Sequence, residues 1–226
     1  TIALGAGANA AVLAVAYGVL LKPLPFADPD RVVAVWPGRF MSQVDLRYIR
    51  ERARGLSQVA GIAPGWTFSL TGAGDASKIT VDRVSGNLFE TLGARALLGR
   101  AIRTDEERPG APKVLVLSHR FWRAHFGGDT SVVGRTVRLD DQPHEIVGVM
   151  PPFFEVLTTR VDGWAPLPAD RAAFYDRLNF TLLVGRLAPG ARLEQANRDF
   201  TSLMPAMRAE LKYPDTFGRA ARLQDR

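Results

Sequence analysis

The chain has 226 residues, no cysteine and a formal charge of +6. That length buries roughly 70% of the unfolded surface, enough for a full core without staples. The missing cysteines exclude a disulfide framework and a thiolate metal site. The basic residues are almost all arginine and are spread out; Lys22, Lys78, Lys113 and Lys212 are the only lysines. A nucleic-acid binder would gather its cations beside stacking aromatics, so no nucleic-acid partner is expected. The chain begins on Thr1 and ends on a charged tail, and it reads as a piece of something longer.

Residues 2–21 carry no charge, and their number fits the roughly 20 needed to cross a bilayer core. Residues 1–22 therefore read as one transmembrane helix. Gly5, Gly7 and Ala11 would serve close helix packing in lipid. Lys22 would snorkel to the headgroups, and Pro23 and Pro25 would end the helix at the membrane exit. No charge stands at the other end, so the sequence alone does not orient it. A buried helix of a soluble domain is the plainer alternative, because Asn9 and many alanines make the stretch only mildly hydrophobic. A third reading takes Gly5 to Ala10 as the G-x-G-x-x-A turn of a dinucleotide-binding enzyme, with Asp28 as the distant acid. That motif needs a strand before it and another ending at the acid. Only residues 1–4 precede it, and Pro23 and Pro25 are incompatible with a central parallel strand.

Residues 31–36 read as a strand. Ser42 and Asp45 form a capping-box pattern for a helix to Arg54 that Gly55 would stop. Leu46, Ile49 and Ala53 give that helix a buried stripe, while Arg47, Arg50, Arg52 and Arg54 fall on a solvated face. Residues 66–70 and 79–84 read as two further strands, joined by a turn at 71–75. The β-α-β-β order is that of half a split βαβ layer. Residues 87–92 read as a short helix stopped by Gly93, and Gly99 ends another short element. Thr104 with Glu107 forms a second capping-box pattern. The acidic run Asp105-Glu106-Glu107 lacks the alternating spacing of a calcium loop; it suits the positive end of a helix dipole.

Val114–Leu117 is an unbroken apolar run suited to a strand buried on both faces. Ser118 then caps a helix over 119–126, with Trp122 and Phe126 on one face. Gly127-Gly128 ends it. Residues 136–139 and 144–149 pair as a hairpin around a four-residue turn, 140–143, and Pro151-Pro152 stops the pairing. Residues 164–167 and Leu182–Leu187 are strands. Pro189-Gly190 turns into a helix over 193–212 whose stripe is Leu193, Ala196, Phe200, Leu203, Met207 and Leu211. Pro205 should kink this helix, and Arg192 stands where a capping side chain is expected.

No catalytic constellation emerges. His119 and His125 are six apart and point to different faces, and His144 lies beyond the hairpin turn. Ser118 follows a strand and opens a helix, but the G-x-S-x-G glycines are absent. There is no G-x-x-x-x-G-K-[ST] phosphate loop. No metal, cofactor or catalytic residue is expected.

Six phrases resemble, in order, the MacB-like periplasmic core domain of FtsX-type ABC transporter permeases. They are ALGAGANAAVLAVAYGVLLKPLPF, VSGNLFETLGARALLGR, VLSHRFWRAHFGGD, VVGRTVRLDDQP, IVGVMPP and LLVGRLAPGARLEQA. The likeness is greatest to the MacB-like permeases common in soil bacteria. It implies a bacterial inner-membrane subunit whose soluble domain lies in the periplasm or outside the cell. It also implies a separate cytoplasmic ABC ATPase, a permease homodimer or heterodimer, and in some systems a periplasmic adaptor. The expected fold is α+β and two-lobed: residues 28–92 and 174–226 as a porter-like lobe, 93–170 as an inserted second lobe. The expected work is mechanotransmission, coupling ATP-driven helix movement to export or other extracytoplasmic work. A membrane-anchored binding protein without a transport role is the alternative. The lobes should meet through a buried apolar seam at Phe89 and Leu92, with Phe121, Trp122 and Phe126 anchoring the second lobe.

Overall fold

The expected strands at 31–36, 79–84 and Leu182–Leu187 lie far apart in the chain, yet they share one sheet. The structure, a computed structural model, describes residues 28–36, 41–152, 154, 156, 160–167, 181–213 and 221–224. The expected transmembrane helix, with Gly5, Gly7, Ala11, Lys22, Pro23 and Pro25, lies outside the described residues. Among the described residues, no helix is long and apolar enough to cross a membrane.

The strands are β1 (Val32–Trp36), β2 (Leu56–Thr71), β3 (Ser77–Val84), β4 (Leu98–Gly99), β5 (Val114–Leu117), β6 (Thr136–Leu139), β7 (Gln142–Val149), β8 (Gly163–Pro166), β9 (Leu182–Leu187) and β10 (Arg222–Gln224). The helices are α1 (Gln43–Arg52), α2 (Leu88–Leu92), α3 (His119–His125), α4 (Leu193–Ser202) and α5 (Met204–Glu210). The sheet runs β10-β1-β9-β2-β3-β8-β5-β7-β4, and β6 pairs with both β2 and β7. β9 is antiparallel to β1 and to β2. β1 and β2 are thus parallel strands joined through α1 and parted by β9, which is a split βαβ unit.

Period-2 alternation explains how the sheet serves two cores at once. In β9, Leu183 and Leu187 face a cluster with α1, α4 and α5, including Ile49, Phe200 and Met207. Leu182 and Val184 face the opposite cluster, around α2. A third cluster joins β5, β7 and the far half of β2 to α3. The central block continues the same sheet, because β8 pairs in parallel with β3 and antiparallel with β5.

β2 is the long member. Its first half pairs with β9, its second half with β3, and its tip with β6. The sequence predicts this strand from Trp66; it begins ten residues earlier, at Leu56. Pro64-Gly65 is absorbed as a register shift between Ala63 and Trp66, the kind of irregularity where a strand tolerates proline.

Three other elements differ from what the sequence predicts. The helix over 193–212 is not one kinked helix but two, α4 and α5, divided at Leu203. Pro205 sits in the first turn of α5, where its missing N–H has no intrahelical partner to lose. The hairpin turn is two residues, not four. Asp140 and Asp141 both have positive φ, 46° and 63°, as a type I′ turn requires. Gln142 already pairs with Leu139 and Pro143 with Arg138. The pair beside a turn-closing pair exchanges no ladder bonds, so Pro143 costs none. Lastly, the capping box near Thr104 is shifted by one residue: the Glu106 carboxylate accepts from the Arg103 amide at 2.7 Å.

Candidate functional site

The chain crosses from the split βαβ unit towards the central block at Ser85-Gly86-Asn87, between the end of β3 and the start of α2. Ser42 caps α1 in a full capping box with Asp45, and this fixes the helix so that Arg50 reaches the crossing. The Arg50 Nε donates to the Val59 carbonyl at 2.8 Å, and Nη2 donates to Asn87 Oδ1 at 2.5 Å. The Asn87 amide donates to the same Val59 carbonyl at 3.0 Å. Ser85 Oγ, fully buried, donates to Asn87 Oδ1 and accepts from the Gly61 amide, each at 2.9 Å. From the central side, the Glu107 carboxylate accepts from the Gly86 amide and stands 3.8 Å from Arg50 Nη1. This polar node holds α1, β2, the 85–87 crossing and the 104–107 turn in one place.

Its electrostatics follow from burial. Desolvation pushes the Glu107 carboxyl above its ordinary value, against the opposing pull of the Gly86 amide and Arg50. The same desolvation pushes the Arg50 guanidinium down, with Glu107 opposing. Each ion lowers the penalty of the other, so removing one partner costs more than the pair contributes.

The sequence predicts a solvated face for Arg50; the side chain instead turns inwards to Val59, Asn87 and Glu107. The signal that could have found it is its position: 46, 49, 50 and 53 are i, i+3, i+4 and i+7, so Arg50 stands inside the buried stripe. Gly86 is equally constrained. An added Cβ would strike the Arg103 carbonyl and come within 2.6 Å of Thr104 Cα. Both obstacles are backbone and cannot swing aside. Gly86→Ala should therefore destabilise the domain by about 1–3 kcal/mol, measured as a lower urea midpoint with an unchanged slope.

Beneath the node lies an apolar cluster built from both parts of the chain. Phe89 is 1% exposed. Its ring stacks on Phe154 at 5.6 Å and meets Trp164 edge-on at 6.0 Å, while Phe154 and Trp164 meet at 5.3 Å. Leu88 and Leu92 complete the α2 face, against Val114, Val116, Val147 and Met150 of the central block and Ala60, Ile62 and Val84 of β2 and β3. Gly93 ends α2 in the left-handed region, at φ 67°. Arg186 of β9 donates through Nε to the Thr91 carbonyl at 2.7 Å, tying α2 to the sheet from the other side.

Phe121, Trp122 and Phe126 gather in a different cluster, under α3. Phe121 and Trp122 are buried, and Phe126 is half-buried. The Trp122 indole donates to the Asp129 carbonyl at 2.8 Å, so its one polar atom is satisfied. The structure therefore places Phe89 and Leu92 in one cluster and Phe121, Trp122 and Phe126 in another, and both clusters draw residues from β2 or β3 and from the central block.

The remaining candidates have structural partners. Ser118 Oγ accepts from the Phe121 amide at 3.2 Å, capping α3. His125 Nε2 lies 2.8 Å from the Ala73 carbonyl, with its ring stacked on Phe121 at 4.9 Å. His119 meets Trp122 edge-on at 5.4 Å. His144 Nδ1 lies 2.8 Å from the Gln142 carbonyl, and burial lowers its basicity. Glu106 pairs with Arg100 at 2.6 Å. Among the described residues, no group of three His, Asp or Glu side chains could hold a metal ion. What this arrangement does is clasp two stretches of backbone, with a polar node above and an aromatic cluster below.

In class, this is an α+β domain on one mixed sheet, with the fold of extracytoplasmic transporter domains. The periplasmic region of MacB from Actinobacillus actinomycetemcomitans has a TM-score of 0.65 at 12% identity, covering 87% of this chain and 89% of its own. A domain assigned to a permease protein of Porphyromonas gingivalis has a TM-score of 0.62 at 16% identity, covering 89% and 93%. The extracellular domain of the noncanonic ABC-type transporter YknZ from Gram-positive bacteria has a TM-score of 0.56 at 12% identity, covering 86% and 100%. At such identities these likenesses concern the fold. The family of MacB-like periplasmic core domains matches residues 1–203, and the chain belongs to it. No curated protein matches the chain.

Proposed function

We propose that this chain is the extracytoplasmic domain of an ABC transporter permease, with its leading membrane helix, and that it transmits ATP-driven movement to work outside the membrane. Family membership and the folds of the neighbouring structures support the permease part of this reading. The observation that supports transmission is the seam: one continuous sheet, clasped by the Arg50–Asn87–Glu107 node and the Phe89–Phe154–Trp164 cluster. A lever must be stiffer than its load, whereas domains on a loose polar linker move independently.

On this reading, residues 28–92 and 174–226 form a porter-like lobe and 93–170 an inserted second lobe. Phe89 and Leu92 couple the two, while Phe121, Trp122 and Phe126 stiffen the second. Residues 1–22 span the inner membrane, with Gly5, Gly7 and Ala11 packing against neighbouring helices and Lys22, Pro23 and Pro25 marking the exit. The partners are a cytoplasmic ABC ATPase, a second permease copy or homologue, and a periplasmic adaptor in systems that have one.

Distance measurements on the intact permease with its ATPase test this. These 226 residues contain no cysteine, so single cysteines at the exposed positions Arg47 and Ala124 are the only labelling sites in this domain once any cysteines elsewhere in the permease and its ATPase have been replaced. Trapping the ATPase in its nucleotide-bound state should shift the inter-subunit distances at both positions in concert. Transport that proceeds while both distances stay fixed would refute transmission.

A further inference from the structure

α1 carries directional polar contacts at both ends, and the two ends face different parts of the molecule. At its start, Asp45 is wholly buried. Its Oδ2 accepts from the Ser42 amide at 2.8 Å, and its Oδ1 accepts from the Tyr213 hydroxyl at 2.6 Å. Tyr213 stands three residues beyond α5 and packs against the cluster that α1 shares with α4 and α5. At the far end of α1, Arg50 bonds Val59 and Asn87 and faces Glu107. The two contact points are five residues apart on one helix, a rise of about 7.5 Å.

Side contacts hold the helix in line. Tyr48 donates to Glu210 at 3.1 Å, Arg52 pairs with Glu210 at 3.4 Å, and the Arg52 guanidinium lies 4.1 Å over the Tyr48 ring. Leu46 and Ile49 seat it on the sheet. The hydrophobic effect that seats it is non-directional. Short hydrogen bonds to buried charged groups fix both distance and angle.

We infer that α1 is a connecting rod: displacement of the C-terminal segment at Tyr213 is passed through Asp45 and Arg50 to the 85–87 crossing and the Glu107 turn, and so into the central block. The inference rests on the transmission reading but names the route, which that reading leaves open.

Tyr213→Phe removes one hydroxyl and leaves the ring. In the intact permease with its ATPase, it should speed amide hydrogen exchange at residues 85–87 and 104–107 by several-fold, although the hydroxyl removed bonds Asp45 at the opposite end of α1. Arg50→Gln should do the same from the other end. If the rod is one path, the double variant exchanges no faster at 104–107 than the faster single variant. Unchanged exchange at 104–107 in Tyr213→Phe, or effects that add in the double variant, would overturn the rod whatever transport does. The two readings separate cleanly. Non-additive exchange with unimpaired transport would keep the rod and remove its role in transmission. Should Arg50→Gln fail to fold, Glu107→Gln probes the same end, with the same expected non-additivity.

Discussion

Phe89→Ala should lower the unfolding free energy by about 3–5 kcal/mol, the range for truncating a buried phenylalanine. Phe89 is 1% exposed and lies against Phe154 and Trp164, so the cavity left behind has two large rings on its wall. The loss includes two aromatic contacts, each about 0.5–1.5 kcal/mol beyond simple burial. Stiff neighbours collapse poorly, which puts the cost at the upper end. Phe126→Ala supplies the comparison, because Phe126 is only half-buried and should lose roughly half as much or less. Urea unfolding followed by tryptophan fluorescence should show one transition for the parent, because the α2 cluster is shared by both parts of the chain. Two separated transitions in the parent, or an unchanged midpoint for Phe89→Ala, would show that the seam does not join the lobes.

Legibility in the sequence followed the range of the interactions. The central strand and helix could be read because each signal is local: an unbroken apolar run at Val114–Leu117, a serine cap, and two glycines with φ 61° and 78°. The first ten residues of β2 could not. Residues 59–63 are buried without a break, so no alternation marks them, and Pro64-Gly65 looks like an end. At Leu203 the apolar spacing runs on across the gap between α4 and α5, because both helices pack on the same cluster; periodicity reports the face and not the continuity of the axis. β10, three residues long, is too short to show a periodicity; it pairs with β1, and its Leu223 amide donates to Asn197 Oδ1 on α4. The node was the least legible. Arg50 and Asn87 are 37 residues apart and Glu107 lies further on; the helical stripe marks Arg50 as facing inwards but carries no information about which distant groups it meets. The burial of Phe89 and Leu92 was legible because a short helix stopped by glycine has few ways to bury an apolar face.

Asp82→Asn should stabilise the domain at neutral pH and leave it unchanged in acid. Asp82 sits in β3 opposite Trp164 of β8, 1% exposed. Its Oδ1 accepts from the Gly65 amide at 2.9 Å. Burial pushes its carboxyl up to about 6, despite the opposing effect of that amide. A raised carboxyl means that the folded state holds a proton which the unfolded state has already released. Below about pH 4 both states are protonated, and the group contributes no pH dependence. Between about pH 4 and 6 the unfolded chain binds fewer protons, so the unfolding free energy falls as pH rises. Above pH 6 both states are ionised, and the loss has reached its full size of about 3 kcal/mol. Asparagine keeps the carbonyl that meets Gly65 and cannot ionise, so the variant should lack this slope. Its urea midpoint should match the parent near pH 4 and exceed it at pH 7.5, by up to that amount less whatever the new amide N–H groups leave unpaired. The outcome that would rule out a raised carboxyl is a parent and variant whose stabilities stay parallel from pH 4 to 7.5.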